Sequence, residues 1–189
     1  VSGGIAGAYE IQASNCSISG INIECNSTIL SNMSFSRTIS GFLGVQCSNT
    51  EENKLQNITV KDVTLNGAPE GGGGIFAVMI SPSVIENCTV SNIKIKQRNN
   101  GENMGGNPAY DGSFGGIGGV IYNTPKTIKN NNISNSTIDV VIQNAGGLFG
   151  SVINSAVIDN CNVESVTINN PNIEAGSGYQ NSSYYAILG

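Results

Sequence analysis

The hydrophobic residues of this chain recur as a block. The first block reads Ala13-Ser-Asn-Cys16-Ser-Ile18-Ser-Gly-Ile21-Asn-Ile23. Four more follow, over 55–65, 85–95, 128–138 and 158–168. In each block the first, fourth, sixth, ninth and eleventh places form one set. Steps of two within this set predict two short strands, and a two-residue corner between them keeps the five places on one face. Of the 25 such places, 23 are apolar or Cys; the exceptions are Asn131 and Ser136.

A glycine motif precedes each block: Gly3-Gly4-Ile5, Ser40-Gly41-Phe42, Gly73-Gly74-Ile75, Gly115-Gly116-Ile117 and Gly146-Gly147-Leu148. A sixth opens at Ala186-Ile187-Leu188-Gly189. The third positions are 37, 33, 42, 31 and 39 residues apart. One copy is therefore a short strand, a loop, and two strands around a bend. A unit so small cannot bury its own apolar face, whereas stacked copies bury a continuous column and pair their backbones. The predicted fold is all-β, a parallel β-helix (β-solenoid) of about five coils of 31–42 residues. Residues 1–189 form one domain, and at about 4.8 Å per rung the stack is about 24 Å tall. The glycine pairs predict a tight corner or a close backbone approach. Residues 66–74, 97–114 and 169–185, rich in Asn, Gly, Pro and Ser, read as long loops on one side. Residues 24–40 lie at the equivalent place but alternate more, and are expected to hold an extra strand.

Composition agrees. Ile and Val number 24 and 14 against 6 Leu, and β-branched side chains favour a pleated surface over a helix. The absence of His removes imidazole-dependent triads and His-ligated metals. Eight Lys and Arg in a chain of net charge −5 argue against nucleic acid as partner. No apolar run reaches the roughly 18 residues of a membrane-spanning helix, so no membrane insertion is expected.

The pairing of Gly146-Gly147-Leu148-Phe149-Gly150 with Ile158-Asp159-Asn160-Cys161, and of Gly73-Gly74-Ile75 with Ile85-Glu86-Asn87-Cys88, resembles the Glug-motif family of β-helical repeats. The likeness extends over nearly the whole chain. It departs in the long loops, in copy two (Ser40 in the glycine pair, no Cys) and in copy four (no Cys). The resemblance implies large cell-surface or secreted proteins, often adhesin-like, in which the solenoid is a stalk or display surface. It implies no catalytic residue.

Eight Asn-x-Ser/Thr sequons begin at Asn15, Asn26, Asn32, Asn57, Asn87, Asn132, Asn135 and Asn181. Each is a candidate N-glycosylation site. Asn15, Asn57 and Asn87 take the same place in their copies and should form an outward row; the competing reading is a plain asparagine ladder. Cys16, Cys88 and Cys161 share an inward column two rungs apart, about 9–10 Å, too far for a disulfide, and read as core filler. Cys25 and Cys47 fall in adjacent copies and are the candidate bridge. No Cys spacing matches a zinc site, and neither metal nor cofactor is expected.

Other chemistry weighs less. Glu51-Glu52 reads as a solvated turn. Gly115–Gly119 lacks the Lys-Ser/Thr of a phosphate loop. Asp111 stands in a single calcium-repeat-like context. Thr64, Thr137 and Thr167 share an outward column that Asn22 and Lys94 interrupt, which speaks against an ice-binding ladder. Tyr110, Tyr179, Tyr184 and Tyr185 lie by the loops, as ligand contacts or as packing against the wall. The expected function is a non-enzymatic extracellular scaffold: part of a cell-surface stalk, adhesin or filament. Its partners are N-linked glycans and either its own copies, end to end, or a covalent continuation of the solenoid. The alternatives are a carbohydrate-processing β-helix and a ligand-binding module using the tyrosine-bearing loops.

Overall fold

The computed structural model describes residues 2–5, 12–25, 38–46, 53–67, 71–80, 83–97, 113–122, 127–140, 144–153 and 156–169. They form a parallel β-helix of four sheets, in which each strand pairs with its counterpart one copy later. A glycine wall stacks Ser2–Gly3, Thr38–Ser40, Gly71–Gly73, Ser113–Gly115 and Asn144–Gly146. A second wall stacks Leu43–Gln46, Phe76–Met79, Gly118–Ile121 and Phe149–Val152. A third stacks Ala13–Ser14, Asn53–Gln56, Ser83–Glu86, Thr127–Lys129 and Ile158–Asp159. The long wall stacks Ser17–Cys25, Thr59–Gly67, Thr89–Gln97, Asn132–Asp139 and Asn162–Asn169.

The register follows the hydrophobic repeat. Ile18 pairs with Val60, Val60 with Val90, Val90 with Ile133, and Ile133 with Val163. In rungs two to four this column is fully buried. The two polar exceptions are hydrogen-bonded. Asn131 accepts from the Cys88 amide at 3.0 Å and donates to the Ile85 carbonyl at 2.9 Å. Ser136 donates to the Ser134 carbonyl at 2.7 Å and accepts from the Ile93 amide at 3.3 Å. Both use the backbone of their own or the preceding rung, which is how a buried polar group avoids its desolvation cost.

Each copy turns more often than the pattern predicts. The expected two-residue corner lies inside the long wall, at Gly20, Asp62, Asn92, Asn135 and Ser165, all with positive φ between 49° and 68°. A second left-handed corner separates the third wall from the long wall, at Asn15, Asn57, Asn87, Asn130 and Asn160, with φ of 47° to 55°. The predicted single short strand is also two strands, broken at the glycine pair. There the second glycine is held by lack of space. A Cβ on Gly4, Gly41, Gly74 or Gly116 would lie 2.2–2.4 Å from the carbonyl oxygen of the next rung's glycine. Gly118 plays a different part: it is in register between Phe76 and Phe149, whose rings stack across it with centroids 6.1 Å apart.

The loop boundaries also shift. Residues 66–74 are not one excursion: Asn66 and Gly67 end a long-wall strand and Gly71–Gly73 is a glycine-wall strand. Gln97, Ser113, Phe114 and Asn169 likewise belong to strands. Backbone pairing absorbs both ends of the first two segments and the start of the third, and residues 68–70, 98–112 and 170–185 lie outside the described ones. Of the extra strand expected in 24–40, residues 26–37 lie outside them too, while Thr38–Ser40 joins the glycine wall. The excursions leave from one edge, since Cys25, Gly67 and Gln97 are in register.

Candidate functional site: outer corner, cysteine column and end rungs

The asparagine corner follows from local backbone chemistry. An inward step of three residues, as from Ala13 to Cys16, reverses the face unless one residue turns left-handed. Asn is the non-glycine residue that tolerates that conformation best. Its side chain then points outward and meets the same side chain one rung away. Asn57 donates to the Asn15 side-chain oxygen at 2.9 Å, Asn130 to that of Asn87 at 3.0 Å, and Asn160 to that of Asn130 at 2.7 Å. The outward row is therefore also a hydrogen-bonded ladder. Asn130 and Asn160 belong to it but begin no sequon.

Of the sequon residues, Asn15, Asn57, Asn87, Asn132 and Asn135 are exposed. Asn132 lies on a long-wall strand and Asn135 at its kink. Asn26, Asn32 and Asn181 lie outside the described residues, as do Glu51, Glu52, Asp111 and the four loop tyrosines. The predicted Thr64, Thr137 and Thr167 column is present, with Asn22 and Lys94 in it.

Cys16, Ile58, Cys88, Asn131 and Cys161 occupy successive rungs just inside the asparagine corner, as shown by the rung-to-rung bonds of their carbonyls. All three thiols donate to the carbonyl two residues earlier: Cys16 to Ser14 at 3.3 Å, Cys88 to Glu86 at 3.4 Å and Cys161 to Asp159 at 3.3 Å. Burial pushes the Cys88 thiol up to about 11 from its ordinary 9.0. Cys16 and Cys161, on the first and fifth described rungs, are only half-buried. Of the candidate bridge between Cys25 and Cys47, Cys47 lies outside the described residues and Cys25 closes the first long-wall strand.

The outer walls bind rung to rung by short polar links. Gln56 donates to Glu86 at 3.0 Å and Lys129 pairs with Glu86 at 3.3 Å, so three rungs of the third wall are tied by one carboxylate. On the long wall Asn169 donates to Asp139 at 2.6 Å. Among the described residues, no group of three or more His, Cys, Asp or Glu side chains is placed to hold a metal ion, and no helix is long and apolar enough to cross a membrane.

The first and fifth described rungs differ from those between them. Ile168 is 37% exposed, whereas Ile138 below it is 0% exposed. Ile18, Ile21 and Ile23 at the other end, and Val163 and Val166 at this one, are only partly buried. A comparison of the chain with protein-family models, curated proteins and solved structures finds no match.

The sequence pattern marks the cysteine column and the outward row. It misses the left-handed turn that creates both, although the three-residue inward step and an Asn in all five copies were available as signals.

Proposed function

We propose that this chain is a non-enzymatic structural solenoid of the cell exterior, a segment of a stalk, adhesive surface or filament that carries N-linked glycans and lengthens by adding rungs. The observation that carries this reading is the stack: an apolar interior filled from rung to rung, ladders of polar side chains outside it, and apolar residues only partly buried in the first and fifth described rungs. Such a body supplies length and a repeating outer wall. Its carboxylates support the same reading, because Glu86 and Asp139 are engaged in ties between rungs. The likeness to Glug-motif repeats points the same way. So do the five exposed sequon asparagines, which meet the first requirement of glycan attachment, an accessible amide.

Electron microscopy of the native material, with intact mass before and after enzymatic removal of N-glycans, tests the proposal. The expected result is rods or fibres whose mass falls on glycan removal. Isolated particles of unchanged mass that cleave a polysaccharide would replace it with the carbohydrate-processing reading.

A further inference from the structure

We infer that two copies of this chain stack head to tail in one register, with rung five of one seated on rung one of the next and Cys161 directly over Cys16 of the second copy. This rests on the scaffold reading and specifies its contact.

Within one chain the cysteines of the inward column are two rungs apart, with Ile58 and Asn131 between them. End-to-end stacking alone makes two of them neighbours. The edges that would meet are parallel strands of the same polarity, Asn162–Asn169 above and Ser17–Cys25 below, the two outer strands of one sheet among the described residues. Their inward residues match: Val163 would cover Ile18 and Val166 would cover Ile21, all four now half-buried. The joint thus repeats the pairing already made between Ile133 and Val163 inside the chain.

The outer wall fits the same register. In each bonded step of the corner ladder, the later asparagine donates to the earlier one. Asn15 of the second copy would donate to Asn160 in the same way. Charge is compatible as well: Glu164 would fall over Ser19, and Asn169 over Glu24, as Asn169 now lies on Asp139. No acid meets an acid in these columns. Neither edge strand carries a Pro or Lys, the usual guards against edge pairing.

The test uses the full chain and dibromobimane, a short reagent that joins two nearby thiols. Sedimentation and electron microscopy report assembly independently. The wild type is expected to give stacks and a cross-linked ladder of oligomers. Cys16→Ser alone and Cys161→Ser alone should each abolish the ladder, while their mixture should give cross-linked dimers and nothing longer. Cys88→Ser should leave the ladder intact. Ser19→Glu, an exposed change that sets an acid against Glu164, should weaken assembly about five-fold, and Glu164→Lys in the same chain should restore it. Stacks that form without a Cys16–Cys161 cross-link, or with Cys161 joined to Cys161, would overturn this register while leaving self-stacking in place. A chain that stays monomeric at every concentration would overturn both the register and self-assembly.

Discussion

Gly116 and Asn87 each sit where the chain turns a corner of the stack, yet only one of them is short of space. Gly116 has no left-handed backbone. A Cβ there would lie 1.8 Å from the Ile133 Cδ1 and 2.2 Å from the carbonyl oxygen of Gly147 on the next rung. Asn87 has φ of 55° and an exposed side chain. The inner corner selects glycine for closeness between rungs, and the outer corner selects asparagine for its backbone conformation. A repeat therefore writes two constraints at two places, and similar-looking substitutions should have unequal costs.

The largest effect is expected at the inner corner. Gly116→Ala can move the Ile133 side chain but not the carbonyl of the next rung, so two rungs must part locally. We expect a loss of about 4 kcal/mol, read as a lower urea midpoint, with loss of the folded signal as its extreme. A loss below about 1 kcal/mol would show that the rungs are not held at the spacing the glycines imply.

The next expectation concerns the thiol just inside the outer corner. Cys88 has a folded value near 11 against an ordinary 9.0 because burial disfavours the thiolate. Above pH 9 the unfolded chain releases this proton while the folded chain keeps it, so the unfolded state binds fewer protons and stability falls as pH rises. The contribution is whole below pH 9 and is lost between 9 and 11, about 3 kcal/mol in all. Other groups also titrate in that range, so the measurement is a difference. Urea midpoints from pH 8 to 11 should fall more steeply for the wild type than for Cys88→Val, which keeps an apolar side chain like Ile58 in the column. Equal slopes would place the thiol in water.

How legible this was depends on whether a position speaks through its neighbours in sequence or in the stack. The inward column was readable because stacking in register makes each copy obey the same alternation, so Ile18, Val60, Val90, Ile133 and Val163 declare themselves five times. The glycine corner was readable in kind, since nothing else explains glycine at one place in every copy. The break of the expected short strand into two walls was not, because residues on either side of Gly74 are all buried and show no alternation. Asn131 looked like a flaw in the pattern. Its partners, the Cys88 amide and the Ile85 carbonyl, are 43 and 46 residues away and appear only once the rungs are stacked.

That flaw supplies the third expectation. Asn131→Leu restores an unbroken apolar column but orphans the buried Cys88 amide and removes a donor from the Ile85 carbonyl. We expect a loss of about 2 kcal/mol in chemical denaturation, although the side chain becomes more hydrophobic. A gain would mean that water or a shifted backbone takes over both bonds. At the outer corner itself, Asn87→Ala should cost about 1 kcal/mol, the price of a Cβ at left-handed φ without a compensating amide. It also removes the oxygen that Asn130 donates to. The mild loss beside the severe one at Gly116 is what separates conformation from space.

The smallest effect reverses sign. Gly20 belongs to the kink of the long wall, where the other four copies hold Asp62, Asn92, Asn135 and Ser165 at similar positive φ. It has φ of 68°, and a Cβ built on it meets nothing within 4 Å. Space is free and the conformation is one that Asn accepts, so Gly20→Asn should narrow the unfolded ensemble without straining the folded one. We expect a gain of about 0.5 kcal/mol. The new amide would face Asp62 one rung away, as Asn92 does from the other side. Gly20→Ala, which meets the same open space but lacks the amide, should lose stability instead. Thermal or urea midpoints of the two variants, measured together, decide the point: if both rise, spare volume governs this kink, and if both fall, the backbone there needs glycine itself.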